Sequence, residues 1–244
     1  MNSPAPLVEA HDLSLSFGGV KALSHVNFSM KEGELRCLIG PNGAGKTTFF
    51  RLLTGVHRPT SGAIKVCGIP ISGLQTHEVA RLGVGIKTQI PSLFDDLSVR
   101  ENIWLSARTN SSSCAPDSKV DDVLKEVALS HLADSEVGKL SHGQRQWVEL
   151  GIVIAMDPKL VLLDEPTAGM TGEEIVKTAE LIKRINQTHA IIVVEHDMNF
   201  IKMIASTVTV FNRGSVLIED TVERVLNNPE VKAVYLGKNG RKVA

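Results

Sequence analysis

The sequence predicts an α/β fold in which a parallel sheet carries a phosphate-binding loop, and three observations lead there. Gly40, Pro41, Asn42, Gly43, Ala44, Gly45, Lys46, Thr47 and Thr48 fit the pattern G-x-x-x-x-G-K-[ST], and they directly follow the apolar run Leu35–Ile39. Two later runs, residues 160–163 and 190–194, are apolar throughout, as strands covered on both faces are. Between them Ile175, Ala179, Ile182 and Ile185 recur on one side of a helix. Strand, helix and parallel strand after a phosphate loop make an α/β P-loop core.

In chain order, residues 7–17 and 26–30 are expected to be paired strands and 35–39 a buried strand. A helix over 47–53 follows, closed by Gly55. Residues 63–66 and 84–88 have the composition of further strands. From Pro91 to Gly138 the character becomes helical: Val120, Val123, Leu124 and Val127 fall at i, i+3, i+4 and i+7, an apolar stripe on one face. The stretch from Asn110 to Pro116 is a turn-rich connection. Trp147, Leu150, Gly151 and Ile154 then repeat the helical spacing before the strand at 160–163. No internal repeat is present.

Composition bounds the class. A chain of 244 residues forms one large domain, or a domain with a subdomain. Its formal net charge of -1 provides no global positive field for nucleic acid. The three cysteines, Cys37, Cys67 and Cys114, are widely spaced and lack a C-x-x-C pair, so they suggest neither a disulfide framework nor a zinc site. The N-terminus has no signal-peptide pattern, and no apolar run approaches a membrane span. A soluble, cytoplasmic chain is expected, one that serves a membrane only through a partner.

The phosphate loop names a ligand class. Backbone N–H groups from Asn42 to Thr48 can curl around phosphates, and the following helix points its positive end at the anion. Lys46 has the reach to hold the β- and γ-phosphates, and the Thr47 hydroxyl is a hard oxygen suited to Mg²⁺. A second constellation closes the run at 160–163 with Asp164, Glu165 and Pro166. It puts two carboxylates at the carboxyl end of a buried strand, where α/β sheets place ligands. Asp164 would orient Mg²⁺, and Glu165 would polarise the water that attacks the γ-phosphate. A third comprises Leu140, Ser141, His142, Gly143 and Gln144 ahead of a helix. A Ser hydroxyl and a Gly N–H there form a second anion site, although a plain helix cap is the commoner role for such a serine.

That pentapeptide resembles the L-S-G-G-Q signature of ATP-binding cassette (ABC) proteins, in which each subunit offers the segment to the ATP held by its partner. The resemblance runs from Val8 to about Gly237. It implies a single ABC nucleotide-binding domain over 1–244: an ATP-binding core in 1–89 and 159–237 that includes an antiparallel β subdomain, an α-helical signature subdomain in 90–158, and a tail at 238–244. It also implies that Phe17 stacks on adenine and that Gln89 bonds Mg²⁺ and the attacking water. His196 would contact the γ-phosphate and the catalytic glutamate, while Ser141, Gly143 and Gln144 would bind the partner's nucleotide. Lone residues of these types are more often core or polar surface, so each is weaker alone than in company.

Two departures stand out. His142 replaces the first glycine of the signature, and Ala168, Gly169, Met170 and Thr171 replace the usual S-A-L-D after the catalytic glutamate, so the cross-interface role of that aspartate does not transfer. Both look like importer ATPases for branched-chain amino acids and urea. Leu140 to Trp147, Ala168 to Thr171 and the ending Val234-Tyr-Leu-Gly237 look closest to the urea-importer subunit.

The resemblance implies ATP and Mg²⁺ as cofactors, ABC permease subunits and a second identical or homologous ATPase as partners, and a solute-binding protein only indirectly. It implies no nucleic acid, and a place on the inner face of the cell membrane through the permease. An apolar patch at Leu93, Phe94 and Trp104 is either permease-docking surface or helical core. A soluble ABC ATPase acting on DNA or ribosomes is the rival, against which stand one cassette, no coiled-coil arms and near-neutral charge. A small-molecule kinase leaves Ser141–Gln144 unexplained.

Overall fold

The structure, a computed structural model, describes residues 5–88, 93–108 and 116–236. Strands β1 (Val8–Phe17) and β2 (Val20–Met30) pair antiparallel. Gly18 and Gly19, both at positive φ, make the tight turn between them, so β2 begins six residues before the expected start at Val26. Strand β3 (Leu35–Ile39) leads through the phosphate loop into α1 (Lys46–Leu53), and β4 (Ser61–Val66), β5 (Ile69–Pro70), α2 (Thr76–Arg81) and β6 (Val84–Lys87) follow. The helical stretch comprises α3 (Val99–Ala107), α4 (Pro116–Glu126) and α5 (His142–Ala155), with two short 3-10 turns between α4 and α5. Strand β7 (Leu160–Asp164), α6 (Gly172–Ile185) and β8 (Ala190–Val194) complete the expected core. Beyond it come α7 (Met198–Ile204), β9 (Thr207–Asn212), β10 (Ser215–Thr221), α8 (Val222–Asn227) and α9 (Pro229–Leu236).

The strands form two sheets, an antiparallel one in the order β2-β1-β4-β5 and a larger one in the order β10-β9-β3-β8-β7-β6. In the larger sheet only the edge strand β10 runs antiparallel. Period-two alternation splits the central strands between two cores. Cys37, Val161, Leu163, Ile191 and Val193 face a cluster built with Val99, Ile103, Val120, Val123 and Leu150 of α3, α4 and α5. Leu38, Leu160, Leu162, Ala190 and Ile192 face the other, built with Phe49 and Phe50 of α1 and the inward face of β1 and β2. The sheet is thus buried on both faces, as its apolar runs require.

One charge sits within β3. The guanidinium of Arg36, 4% exposed, pairs with the carboxylates of Glu34 and Glu219 and donates to the Thr209 hydroxyl at 3.0 Å. Two carboxylates and a hydroxyl satisfy a cation that would otherwise be costly to bury.

Candidate active site

Register brings the chemistry to one edge. Val194 pairs with Leu38 on one side and with Asp164 on the other, so β3, β8 and β7 end side by side. The Glu165 N–H donates to the Val194 carbonyl at 3.0 Å, continuing the ladder one residue past the sheet. The phosphate loop, Glu165 and His196 therefore emerge at the carboxyl ends of neighbouring strands, within about 10 Å across two strand spacings.

The loop itself is shaped to receive an anion. Gly45 caps α1 with no side-chain hydrogen bond, so no side chain competes for the helix's first N–H groups. Gly40 has φ +146°, and a Cβ there would lie 2.2 Å from the Phe211 carbonyl oxygen of β9. Gly40→Ala is therefore expected to destabilise the fold by about 1–3 kcal/mol through forced backbone movement, read as a lowered midpoint in urea unfolding. The Lys46 ammonium donates to the carbonyls of Gly40 (2.7 Å) and Pro41 (3.1 Å), folded over the loop it would leave for a phosphate. Burial lowers the Lys46 pKa, and the carboxylates of Glu165 and Asp164 pull it back up. Phe17 is exposed at the end of β1, its ring edge-on to His57 at 5.1 Å.

At the adjoining strand end, Asp164 and Glu165 are half-buried. Burial, then the charge of Glu165, raises the Asp164 pKa above the ordinary aspartate value, with Lys46 and Lys87 opposing. Glu165 adopts φ 47°, a left-handed conformation that a non-glycine residue holds only when its surroundings enforce it. His196 Nδ1 lies 3.6 Å from Glu165 Oε1. Gln89 lies outside the described residues. Thr47 and Asp164 offer hard oxygen donors, and among the described residues no cluster of three or more His, Cys, Asp or Glu could hold a metal. That donor set fits Mg²⁺, which takes one or two protein oxygens and completes its shell with phosphates and water.

The signature segment starts α5. Ser141 accepts from the Gln144 N–H (3.2 Å) while Gln144 Oε1 accepts from the Ser141 N–H (2.9 Å), a reciprocal cap. The Ser141 hydroxyl also donates to Glu174 Oε1 of α6 at 3.2 Å, and a Cβ at buried Gly143 would fall 2.4 Å from that same oxygen. The two departures meet: His142 Nε2 donates to the Ala168 carbonyl at 3.0 Å, and a Cβ at Gly169 would lie 3.1 Å from the same nitrogen. Sequence reasoning passed over Glu174, although Thr171-x-x-Glu174 carries the capping-box pattern that places it at the start of α6.

The apolar patch divides. Leu93 and Trp104 pack half-buried against the helical core, with the Arg108 guanidinium 4.7 Å from the Trp104 ring centroid, whereas Phe94 is 61% exposed. Asn102, fully buried, holds the Phe94 backbone, accepting from its N–H (2.9 Å) and donating to its carbonyl (3.0 Å). Next to Phe94, Asp95 bonds Arg145 of α5 at 2.7 Å, tying this loop to the signature helix.

Fold and site together define a P-loop ATPase, and comparison with known proteins narrows the class. Residues 23–168 match the ABC transporter family. The chain is 33% identical to the high-affinity branched-chain amino acid transport ATP-binding protein BraF of Pseudomonas aeruginosa, over 96% of this chain and 98% of that one. It is likewise 33% identical to the LivG protein of the same description from Escherichia coli, with the same coverage. An ATP-binding cassette of an ABC transporter in its ADP conformation superposes with a TM-score of 0.85 at 24% identity, covering 96% of this chain and 99% of that one. A dimeric cassette in a post-hydrolysis state with ADP and phosphate gives 0.76 at 25% identity, over 88% and 98%. The chain belongs to the ABC transporter family and is an ATPase coupled to transport that binds ATP and uses Mg²⁺. The expected urea specificity finds no support among these relatives, whose names point to branched-chain amino acids.

Proposed function

We propose that two such subunits, identical or homologous, sandwich two MgATP head to tail and drive a permease that imports branched-chain amino acids. The observation carrying this is the shared strand edge: Lys46, Asp164, Glu165 and His196 gather there, while the exposed Ser141 lies apart from them at the N-terminus of α5. In this reading the phosphate-loop amides and Lys46 hold the β- and γ-phosphates and Phe17 carries the adenine. Thr47 and Gln89 would hold Mg²⁺ and Asp164 would orient it; the ion would offset phosphate charge when bound. Glu165 takes a proton from water as its oxygen attacks the γ-phosphorus and the bond to the β–γ bridging oxygen breaks, leaving ADP and phosphate. His196 steadies Glu165 and the departing phosphoryl group. Across the interface, Ser141, Gly143 and Gln144 receive the partner's γ-phosphate, the Ser141 hydroxyl exchanging Glu174 for it.

Closure supplies the work and hydrolysis resets the pair. Residues 90–158 are the helical unit of this reading, 1–89 and 159–237 its core, and 238–244 a tail. The site of action is the cytoplasmic face of the membrane, reached through the permease; among the described residues no helix is long and apolar enough to cross it. Phe94, exposed and held by Asn102, is read as the permease contact, with a solute-binding protein acting only from the far side. Phe94→Glu is expected to abolish permease co-purification while MgATP binding persists, and retained assembly would contradict the assignment. Urea remains the second reading, favoured by the Leu140–Trp147, Ala168–Thr171 and Val234–Gly237 segments. The permease that co-purifies, reconstituted in vesicles, decides the solute: ATP-driven uptake of leucine and not urea supports the first reading, and the reverse overturns it.

A further inference from the structure

The carboxylate of Glu195 lies immediately behind the reacting groups, 1% exposed, and the hydrolysis described above does not use it. Four donors converge on it. The Thr167 hydroxyl donates to Oε1 at 2.5 Å, with the Thr167 N–H at 3.4 Å. The backbone N–H groups of His196 and Asp197 donate to Oε2 at 2.9 and 3.4 Å. Thr167 stands two residues after Glu165, at the far end of the turn that Pro166 begins, and the Ala168 N–H closes that turn onto the Glu165 carbonyl at 3.2 Å. One side chain therefore grips both loops: through Oε1 the turn that carries Glu165, through Oε2 the turn that carries His196.

We infer that Glu195 is a positioning residue for hydrolysis, locking the Glu165 turn to the His196 turn so that the two side chains keep their 3.6 Å approach. Glu165 needs such a lock because its left-handed backbone, φ 47°, is not a conformation it would hold unaided. Among the described residues, no phosphate-loop group donates to the Glu195 carboxylate, so nucleotide capture is separate from this function.

The inference rests on Glu165 as the water-polarising group, and the test keeps the two apart. ATPase kinetics, MgATP affinity and thermal unfolding are measured for Glu195→Gln, Thr167→Val and the double variant. Gln at 195 turns an NH2 toward the donors on one side, and Val at 167 removes the hydroxyl alone. Each single variant is expected to lower kcat about 10- to 100-fold with KM for MgATP within about twofold, because displacement of the reacting groups costs rate rather than binding. The double variant should be no slower than the slower single one, since both break the same contact. Either of two results would overturn the inference: unaltered kcat in both singles, or kcat and nucleotide affinity falling in proportion to lost thermal stability. Should Glu195→Gln fail to fold, Thr167→Val carries the same decision. Full activity in Glu165→Gln would instead remove the underlying reading, independently of these variants.

Discussion

Glu165→Gln is expected to slow ATP hydrolysis by about 10²–10⁴-fold, the range that loss of a positioned general base produces. The substitution keeps size and hydrogen-bonding capacity but removes the charge that draws a proton from water. Because Glu165 follows the last residue of β7 and its N–H continues the ladder to Val194, the backbone that positions it does not depend on the carboxylate. Removing the charge also removes the larger of the neighbouring charges that raise the Asp164 pKa, so Mg²⁺ binding by Asp164 should not weaken. Steady-state phosphate release measures the rate, and a wild-type rate would remove Glu165 from the mechanism.

Lys46→Ala is expected to have its largest effect one step earlier, on nucleotide capture. A hydrogen bond to a charged group contributes about 1.5–3 kcal/mol, so losing the ammonium should weaken MgATP binding roughly ten- to a hundredfold. Folding should be little affected. In the free protein Lys46 donates to the carbonyls of Gly40 and Pro41, and its burial disfavours the charged form, partly offset by Glu165 and Asp164. Isothermal titration with a non-hydrolysable ATP analogue, beside thermal unfolding of the same preparation, separates the two quantities. Full affinity in the variant would contradict the phosphate-loop assignment.

The parts of the fold that the sequence predicts are those where burial is two-sided or spacing is local. Strands β3, β7 and β8 are buried on both faces and read as apolar runs, interrupted in β3 by Arg36 and closed in β7 by Asp164. The stripe Val120, Val123, Leu124 and Val127 is local to α4 and its end, and all four side chains are buried. The first half of β2 escaped because it is largely exposed and its residues alternate no clear apolar face. Strands β9 and β10 escaped for different reasons. Thr209 of β9 is buried by polar partners rather than by apolar character, accepting from Arg36 and donating to Glu219. The edge strand β10 is half-exposed along most of its length.

At the site, motif spacing pointed to Lys46, Asp164, Glu165 and Ser141 and the family resemblance to His196, and register brought four of these to one edge. The contacts that hold them were not readable in the same way. His142 meets Ala168 across 26 residues of sequence, and Thr167 meets Glu195 across 28. No helical or strand period joins such pairs, so only the fold reveals that both departures from the family pattern are one contact.

The central claim is that nucleotide is sandwiched between the phosphate loop of one subunit and Ser141 of the other. The most direct measurement is the molar mass of Glu165→Gln in solution with MgATP, by light scattering on a size-exclusion column, with and without Ser141→Arg. The account predicts a dimer for Glu165→Gln in ATP, a monomer without nucleotide, and a nucleotide-loaded monomer once Arg occupies position 141. A Glu165→Gln protein that stays monomeric at saturating MgATP, or a dimer that survives Ser141→Arg, would contradict it.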